Sequence, residues 1–142
     1  MEMIMNGLPE FDEFQDYSGK QVRFRYVFHD AGNVYTCRAY EETEAEVSRE
    51  FCVYDQLNPA NNLYKIRKII RRELNTRYFS DVEYEAFGEM NFDYFKGNIS
   101  HDAGGETCLV VDGKKMSLND LENLLSIHEG FEIRISISDG ST

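Results

Sequence analysis

The stretch KQVRFRYVFHDAGNVYTCRAYEE, residues 20–42, predicts the sheet on which this fold is built. In its first half, polar side chains alternate with four apolar ones, Val22, Phe24, Tyr26 and Phe28. A period of two is typical of a half-buried β-strand. The letters DAGN then favour a tight turn, and VYTCRAYEE resumes the strand pattern. We therefore predict an antiparallel β-hairpin.

The next regular segment is a helix with an unusual charge. In LYKIRKIIRRELNTRYF, residues 63–79, apolar side chains recur every three or four positions, at Leu63, Ile66, Ile70 and Leu74. This spacing predicts an amphipathic α-helix whose apolar face lies on the core. Pro59 and the asparagines that follow it suit the helix entrance. The opposite face carries four cations, Lys65, Lys68, Arg71 and Arg72.

Further elements complete an α+β pattern. REFCVYD (49–55) and ETCLVVDGKK (106–115) predict strands, while FDEFQDY (11–17) predicts one helical turn. Ser117, with Asp120 three residues later, predicts the capped start of a second helix. FEIRISIS (131–138) predicts a closing strand with its apolar side chains inward, namely Phe131, Ile133, Ile135 and Ile137. The order predicts a mostly antiparallel sheet of about five strands with two helices packed on one face.

Length and composition predict one cytoplasmic domain. The 142 residues favour a single globular domain over 1–142, with a loosely ordered start at 1–18 and a polar tail at 138–142. No apolar run approaches a transmembrane span, and the first residues lack the features of a signal peptide. Three cysteines without a CxxC motif argue against a disulfide framework, and Cys37 and Cys108 lie in strand-like runs that favour burial.

The last third of the chain resembles a known family. In LVVDGKKMSLNDLENLLSIHEGFEIRISISD, the matching positions are Val110, Val111, Asp112, Gly113, Lys114, Ser117, Leu124, Glu129, Gly130 and Phe131. This pattern, Asp-Gly-Lys followed by Glu-Gly-aromatic in a strand-helix-strand order, is similar to the end of an uncharacterised family of small bacterial and plant domains. Leu118 stands where that family has Trp. The resemblance implies turns, caps and core positions, and it implies no catalytic role.

The cationic helix is the strongest candidate binding site. Residues 63–79 contain six cations and one carboxylate, a net charge of +5, in a chain whose net charge is −11. Three interpretations stay open. The cations pair with acidic segments of the same chain, or Lys65, Lys68, Arg71 and Arg72 dock a protein partner, or they bind phosphate or nucleic acid. The surrounding negative charge makes nucleic acid the least favoured ligand.

Two identical turns form the candidate metal site. The letters HDAG occur twice, and they supply His29, Asp30, His101 and Asp102 as side chains that could ligate a metal or act on a small substrate. Asp-x-Gly is also ordinary hairpin chemistry. No phosphate-binding glycine loop and no established zinc spacing occur, so we expect no cofactor.

These patterns favour a non-enzymatic cytoplasmic protein-binding domain. Its docking surface is predicted to be the cationic helix face or the acidic surface at residues 41–46 and 81–89. The alternatives are a small metal- or substrate-binding enzyme at the two His-Asp turns and a phosphate or nucleic-acid binder at residues 63–79. Exposed strand edges also make a homodimer an option, and no membrane association is expected.

Overall fold

In the computed structural model, residues 7–56, 58–83 and 86–139 are described. The chain divides into two compact units. Unit 1 comprises the described residues within 1–43, 50–76 and 138–142. Unit 2 comprises those within 44–49 and 77–137. Each unit has its own sheet and its own helix, and the single domain over 1–142 stays a prediction.

Unit 1 is built on four antiparallel strands that lie side by side in chain order. They are β1 (Phe11–Gln15), β2 (Gln21–Asp30), β3 (Tyr35–Glu41) and β4 (Glu50–Asp55). Phe28 of β2 lies opposite Cys37 of β3, which in turn lies opposite Val53 of β4. All three are buried, so this register places the apolar face of the predicted hairpin on the core.

Helix α1 (Pro59–Leu74) packs its apolar face against this sheet. It begins where the Asn58 side chain accepts a hydrogen bond from the backbone N–H of Asn61 at 2.9 Å. Pro59 occupies the first turn, where its missing N–H costs no helical hydrogen bond. The predicted apolar stripe is buried, with Leu63, Ile66, Ile69, Ile70 and Leu74 in the core of unit 1. The local pattern therefore suffices to place this helix.

Unit 2 is a smaller three-stranded antiparallel sheet with a short helix. Its elements are β5 (Asn98–His101), β6 (Thr107–Val111), β7 (Lys114–Met116) and α2 (Leu118–Ser126), and the strand order is β5-β6-β7. The predicted cap of α2 is present, because Ser117 and Asp120 each bond the other's backbone N–H. Leu121 and Leu124 are half-buried against the cluster that contains Val111.

The β6–β7 turn holds the backbone of residues 78 and 79, near the start of the stretch 77–137 of unit 2. Asp112 has a φ of 54°, a left-handed conformation that Asp tolerates better than most residues. Its two carboxylate oxygens accept hydrogen bonds from the backbone N–H groups of Tyr78 (3.0 Å) and Phe79 (2.9 Å). Gly113 follows at φ 77°, where an added Cβ would lie 2.6 Å from the guanidinium of Arg49. The Asp-Gly pair therefore has a structural role: it forms the turn and holds the backbone of residues 78 and 79.

The α+β class is confirmed, and the arrangement within it differs from the prediction. Among the described residues, seven strands form two sheets of four and three, instead of one sheet of about five. The two helices consequently belong to different units. The segment predicted as a helical turn, residues 11–17, contains β1, because Phe14 and its neighbours pair with the exposed edge of β2. Tertiary pairing there outweighs the weak local preference.

The prediction of a closing strand at residues 131–138 is wrong, and this is the larger correction. Residues 131–137 belong to no strand in the part of the chain that the structure describes. The four side chains predicted to point inward are instead 76%, 59%, 79% and 79% exposed, namely Phe131, Ile133, Ile135 and Ile137. Alternation of apolar and polar residues is typical of a β-strand, but a strand also needs a neighbouring strand to pair with.

Candidate functional site

Two cations of α1 are held by carboxylates of the sheet. The Lys65 ammonium lies 2.9 Å from Asp55 Oδ2 and donates to the Tyr54 carbonyl at 3.1 Å. The Arg67 guanidinium lies 2.6 Å from Asp12 Oδ2. Lys65 was one of the four predicted binding residues, and its charge is already engaged by a carboxylate that is almost completely buried.

Arg72, another predicted binding residue, is also paired. Its Nε lies 3.0 Å from Glu73 Oε1, on the neighbouring residue of the same helix. The guanidinium is about half exposed, whereas the Glu73 side chain is 12% exposed. Among the described residues, Arg72 has this one carboxylate partner, while Lys65 also donates to a backbone carbonyl.

Lys68 and Arg71 lie over aromatic rings instead of beside carboxylates. Lys68 Nζ is 5.3 Å from the ring centroid of Tyr64, and Arg71 Cζ is 5.7 Å from that of Phe14. Both cations are exposed, and neither has an ion pair with any carboxylate in the described ranges. An exposed cation–π contact contributes about 0.5–1 kcal/mol, so it orients these charges without neutralising them.

These residues form one stripe along α1. Positions 64, 68 and 71 are spaced by four and three, which places them on the same face of a helix. Tyr64 is 65% exposed. We call Tyr64, Lys68 and Arg71 the α1 stripe. Sequence reasoning missed Tyr64, although its position four residues before Lys68 could have indicated it. The stripe combines two available positive charges with an exposed aromatic ring.

The acidic segments predicted to neutralise α1 pair elsewhere. Glu42 lies 2.9 Å from Arg25, and Glu46 lies 3.3 Å from Lys115. The Asp81 carboxylate accepts hydrogen bonds from Arg77 and from Lys114. The carboxylates that do reach α1 come from other positions, namely Asp12, Asp55 and Glu73. Cations of this chain that lie outside α1 therefore partly neutralise the acidic segments at 41–46 and 81–89.

The two HDAG turns belong to different units. His29 and Asp30 end β2 in unit 1, whereas His101 ends β5 in unit 2. Asp30 accepts a hydrogen bond from Gly32 N at 2.8 Å, and Asp102 accepts corresponding bonds from its own turn. Within the described residues, no group of three or more His, Cys, Asp or Glu side chains could hold a metal ion. The metal site stays a prediction.

The cysteines provide no activated nucleophile. Burial, with a smaller contribution from the nearby Cys52, raises the pKa of Cys37 to about 12. Burial also raises the pKa of Cys108, which is 1% exposed. A catalytic thiol needs a lowered pKa and access to solvent. The predicted burial of these two side chains agrees with their positions in β3 and β6.

Comparison with known proteins finds one similarity. Residues 81–142 match a family model described as a domain of unknown function (DUF7713). This match spans less than half of the chain, and it includes the Asp-Gly-Lys and Glu-Gly-Phe positions. It agrees with a resemblance to a family without an assigned function. No curated protein and no solved structure matches the chain. Among the described residues, no helix has the length and apolar character needed to cross a membrane.

Proposed function

We propose that this chain is a non-enzymatic, cytoplasmic protein-binding domain that docks an acidic protein surface on the α1 stripe. The observation that carries the proposal is that Lys68 and Arg71 are exposed and lie over aromatic rings, and neither forms an ion pair with a carboxylate of the described chain, although the charge of Arg71 acts on Asp12. Arg and Tyr are the residue types most enriched among residues that dominate binding energy. Three free cysteines fit a reducing compartment.

The charge distribution favours a compact acidic partner. A chain of net charge −11 repels an extended polyanion, because phosphates beyond the stripe meet the surrounding carboxylates. A protein helix or loop that presents two or three carboxylates contacts the stripe alone. Arg72 lies beside the stripe with its guanidinium about half exposed, so it can add a charge to the same face.

The other predicted sites receive less support. The acidic surface includes Glu42, Glu46 and Asp81, each of which already has a cation of this chain beside it. The enzyme alternative relies on two turns that belong to different units. Asp102 has a lowered pKa because backbone N–H groups of its own turn donate to it, a cause that needs no metal.

Site-specific photo-crosslinking tests the proposal. A photoreactive phenylalanine analogue replaces Tyr64 in cells that express the chain, and adducts are identified by mass spectrometry. The same analogue at Tyr94, an exposed tyrosine that belongs to unit 2, is the matched control. We expect a protein adduct at position 64 and not at position 94.

Charge reversal then tests whether the cations of the α1 stripe are required for the adduct at position 64. Lys68→Glu with Arg71→Glu is expected to abolish the adduct. Lys20→Glu with Arg25→Glu changes the net charge by the same amount, from −11 to −15, and is expected to leave the adduct unchanged. A nucleic-acid adduct at position 64, or equal loss in both double variants, contradicts the proposal.

A further inference from the structure

The segment Phe131–Ile137 has the alternating sequence of a strand but pairs with no strand among the described residues. We call these seven residues, FEIRISI, the C-terminal segment. Apart from the bond between Phe131 N and the His128 carbonyl at 2.9 Å, its backbone makes no hydrogen bond to another described residue. Its side chains are exposed on both faces, the apolar one and the polar one. The backbone donors and acceptors beyond Phe131 N are thus open.

The composition of the C-terminal segment favours pairing with another β-strand. Three isoleucines and a phenylalanine at alternate positions have high β-propensity and form one apolar face. Contiguous exposed apolar surface marks an interaction site, and an unpaired strand is a template for another strand. Glu132 and Arg134 give the segment no net charge, although the whole chain carries −11. The segment is therefore a part of this acidic chain that can meet another copy without local repulsion.

We propose that the C-terminal segment pairs with the same segment of a second copy, antiparallel and centred on Ile133, to form a two-fold symmetric dimer. Symmetric pairing requires that the residue numbers of opposed residues have a constant sum. An even sum keeps the apolar faces together. In the register centred on Ile133, Phe131 lies opposite Ile135 and Glu132 lies opposite Arg134. Two-fold symmetry repeats each of these contacts.

Charge selects this register over its neighbours. Centring on Glu132 places two glutamates opposite each other, and centring on Arg134 does the same with two arginines. Both arrangements are destabilising. Centring on Ile135 avoids like charges but gains no ion pair. Only the register centred on Ile133 gives two reciprocal Glu132–Arg134 pairs among these four. In the single chain these two side chains already lie 3.0 Å apart on one face, 76% and 89% exposed.

The paired segments also have apolar surface available to cover them. A two-stranded ribbon is marginally stable by itself, so its apolar face needs further contacts. In the same unit, Leu118 and Leu125 of α2 and the following Ile127 are exposed at 59%, 45% and 77%. These side chains, from both copies, are the ones we assign to that role.

Charge reversal in the full chain provides a specific test. Glu132→Arg and Arg134→Glu each place two like-charged pairs opposite each other in a dimer of identical chains. Each variant is expected to weaken dimerisation about tenfold or more, measured by analytical ultracentrifugation over a concentration series. An equimolar mixture of the two variants restores both ion pairs. The mixture is expected to dimerise as the wild type does, and only self-pairing of this segment predicts that rescue.

Substitutions of isoleucine separate this dimer from other associations. Ile133→Thr is expected to weaken the dimer, whereas Ile99→Thr, at a similarly exposed isoleucine on the edge strand β5, is expected to leave it unchanged. A wild-type chain that remains monomeric throughout the series overturns the proposal. Loss of the dimer in Ile99→Thr, without an effect of the charge variants, also overturns it and points to addition of the segment to β5.

Discussion

The guanidinium of Arg67 on α1 holds the carboxylate of Asp12 on β1 by two hydrogen bonds, across 55 residues of sequence. Arg67 Nε lies 2.6 Å from Oδ2, and its NH2 group lies 3.3 Å from Oδ1. The Tyr26 hydroxyl donates to the same Oδ2 at 2.7 Å. Asp12 therefore joins the helix, the edge strand β1 and the neighbouring strand β2 of unit 1.

Removal of this carboxylate is expected to destabilise unit 1. Asp12→Ala leaves the Arg67 guanidinium and the Tyr26 hydroxyl without their acceptor, and we expect a loss of about 1–3 kcal/mol in the free energy of unfolding by urea. Glu13→Ala is the matched control, because Glu13 pairs with Arg23 in the open, where both side chains are about half exposed. That change is expected to cost about 0–1 kcal/mol. Equal losses in the two variants would contradict the role given to Asp12.

The same carboxylate predicts an acid-sensitive contribution. Burial opposes its ionisation, but hydrogen bonds from Arg67 and Tyr26 and the charges of Arg67 and Arg71 outweigh burial and lower the pKa of Asp12. Its contribution is therefore fully present above the unfolded value of about 3.9, and it is lost as the pH falls through the lower folded pKa. The stability difference between wild type and Asp12→Asn is expected to be constant near neutral pH and to shrink below about pH 4. A difference that grows on acidification would refute this assignment.

Local patterns predicted the elements better than their pairing. The buried apolar face of α1 and the Ser117 cap depend on neighbours within one or two turns, so the sequence alone places them. The division into two sheets depends on which distant strands pair, and no local period contains that information. The C-terminal segment shows the limit most clearly, since its alternation indicates a strand but does not supply the neighbour that a strand requires.

The candidate site was predictable to a similar extent. Helical periodicity correctly placed Lys68 and Arg71 on the exposed face of α1. It could not indicate that Lys65 meets Asp55, because that carboxylate is oriented by β4 and by the turn before the helix. Tertiary structure therefore decides which cations of α1 remain available for a partner. They can be identified only when the positions of the strands are known.

The Asp-Gly turn of unit 2 carries a third prediction. Asp112→Ala removes the acceptors of two backbone N–H groups and puts at a φ of 54° a residue that tolerates this conformation less well than Asp, so we expect a loss of about 2–4 kcal/mol. Asp112→Gly tolerates this conformation but still lacks the carboxylate. If the hydrogen bonds matter, Asp112→Gly also lowers the free energy of unfolding, by about 1–3 kcal/mol. Wild-type stability in Asp112→Gly would show that the turn conformation alone is required.

Thiol reactivity gives a fourth prediction. Cys37 and Cys108 are buried, whereas Cys52 is half-buried. We expect Ellman's reagent to label one thiol in the folded protein and three in denaturant. Because burial also raises the pKa of Cys52, its labelling at neutral pH is expected to be slower than that of a free thiol. Cys52→Ser is expected to abolish the folded-state signal, and rapid labelling of a second thiol would contradict the burial of β3 or β6.

A buried amide in α1 offers a stabilising substitution. Asn62 is 0% exposed, and neither its Oδ1 nor its Nδ2 has a hydrogen-bond partner in the described part of the chain. Leu has the same branched skeleton of side-chain heavy atoms and no polar atoms to desolvate, so Asn62→Leu is expected to raise the free energy of unfolding by about 1–2 kcal/mol. Asn61→Leu, in the same turn but half-buried, separates this effect from helix propensity and is expected to contribute about 0.5 kcal/mol or less. Urea unfolding of both variants measures the difference, and a destabilised Asn62→Leu would mean that the amide makes a stabilising interaction in solution.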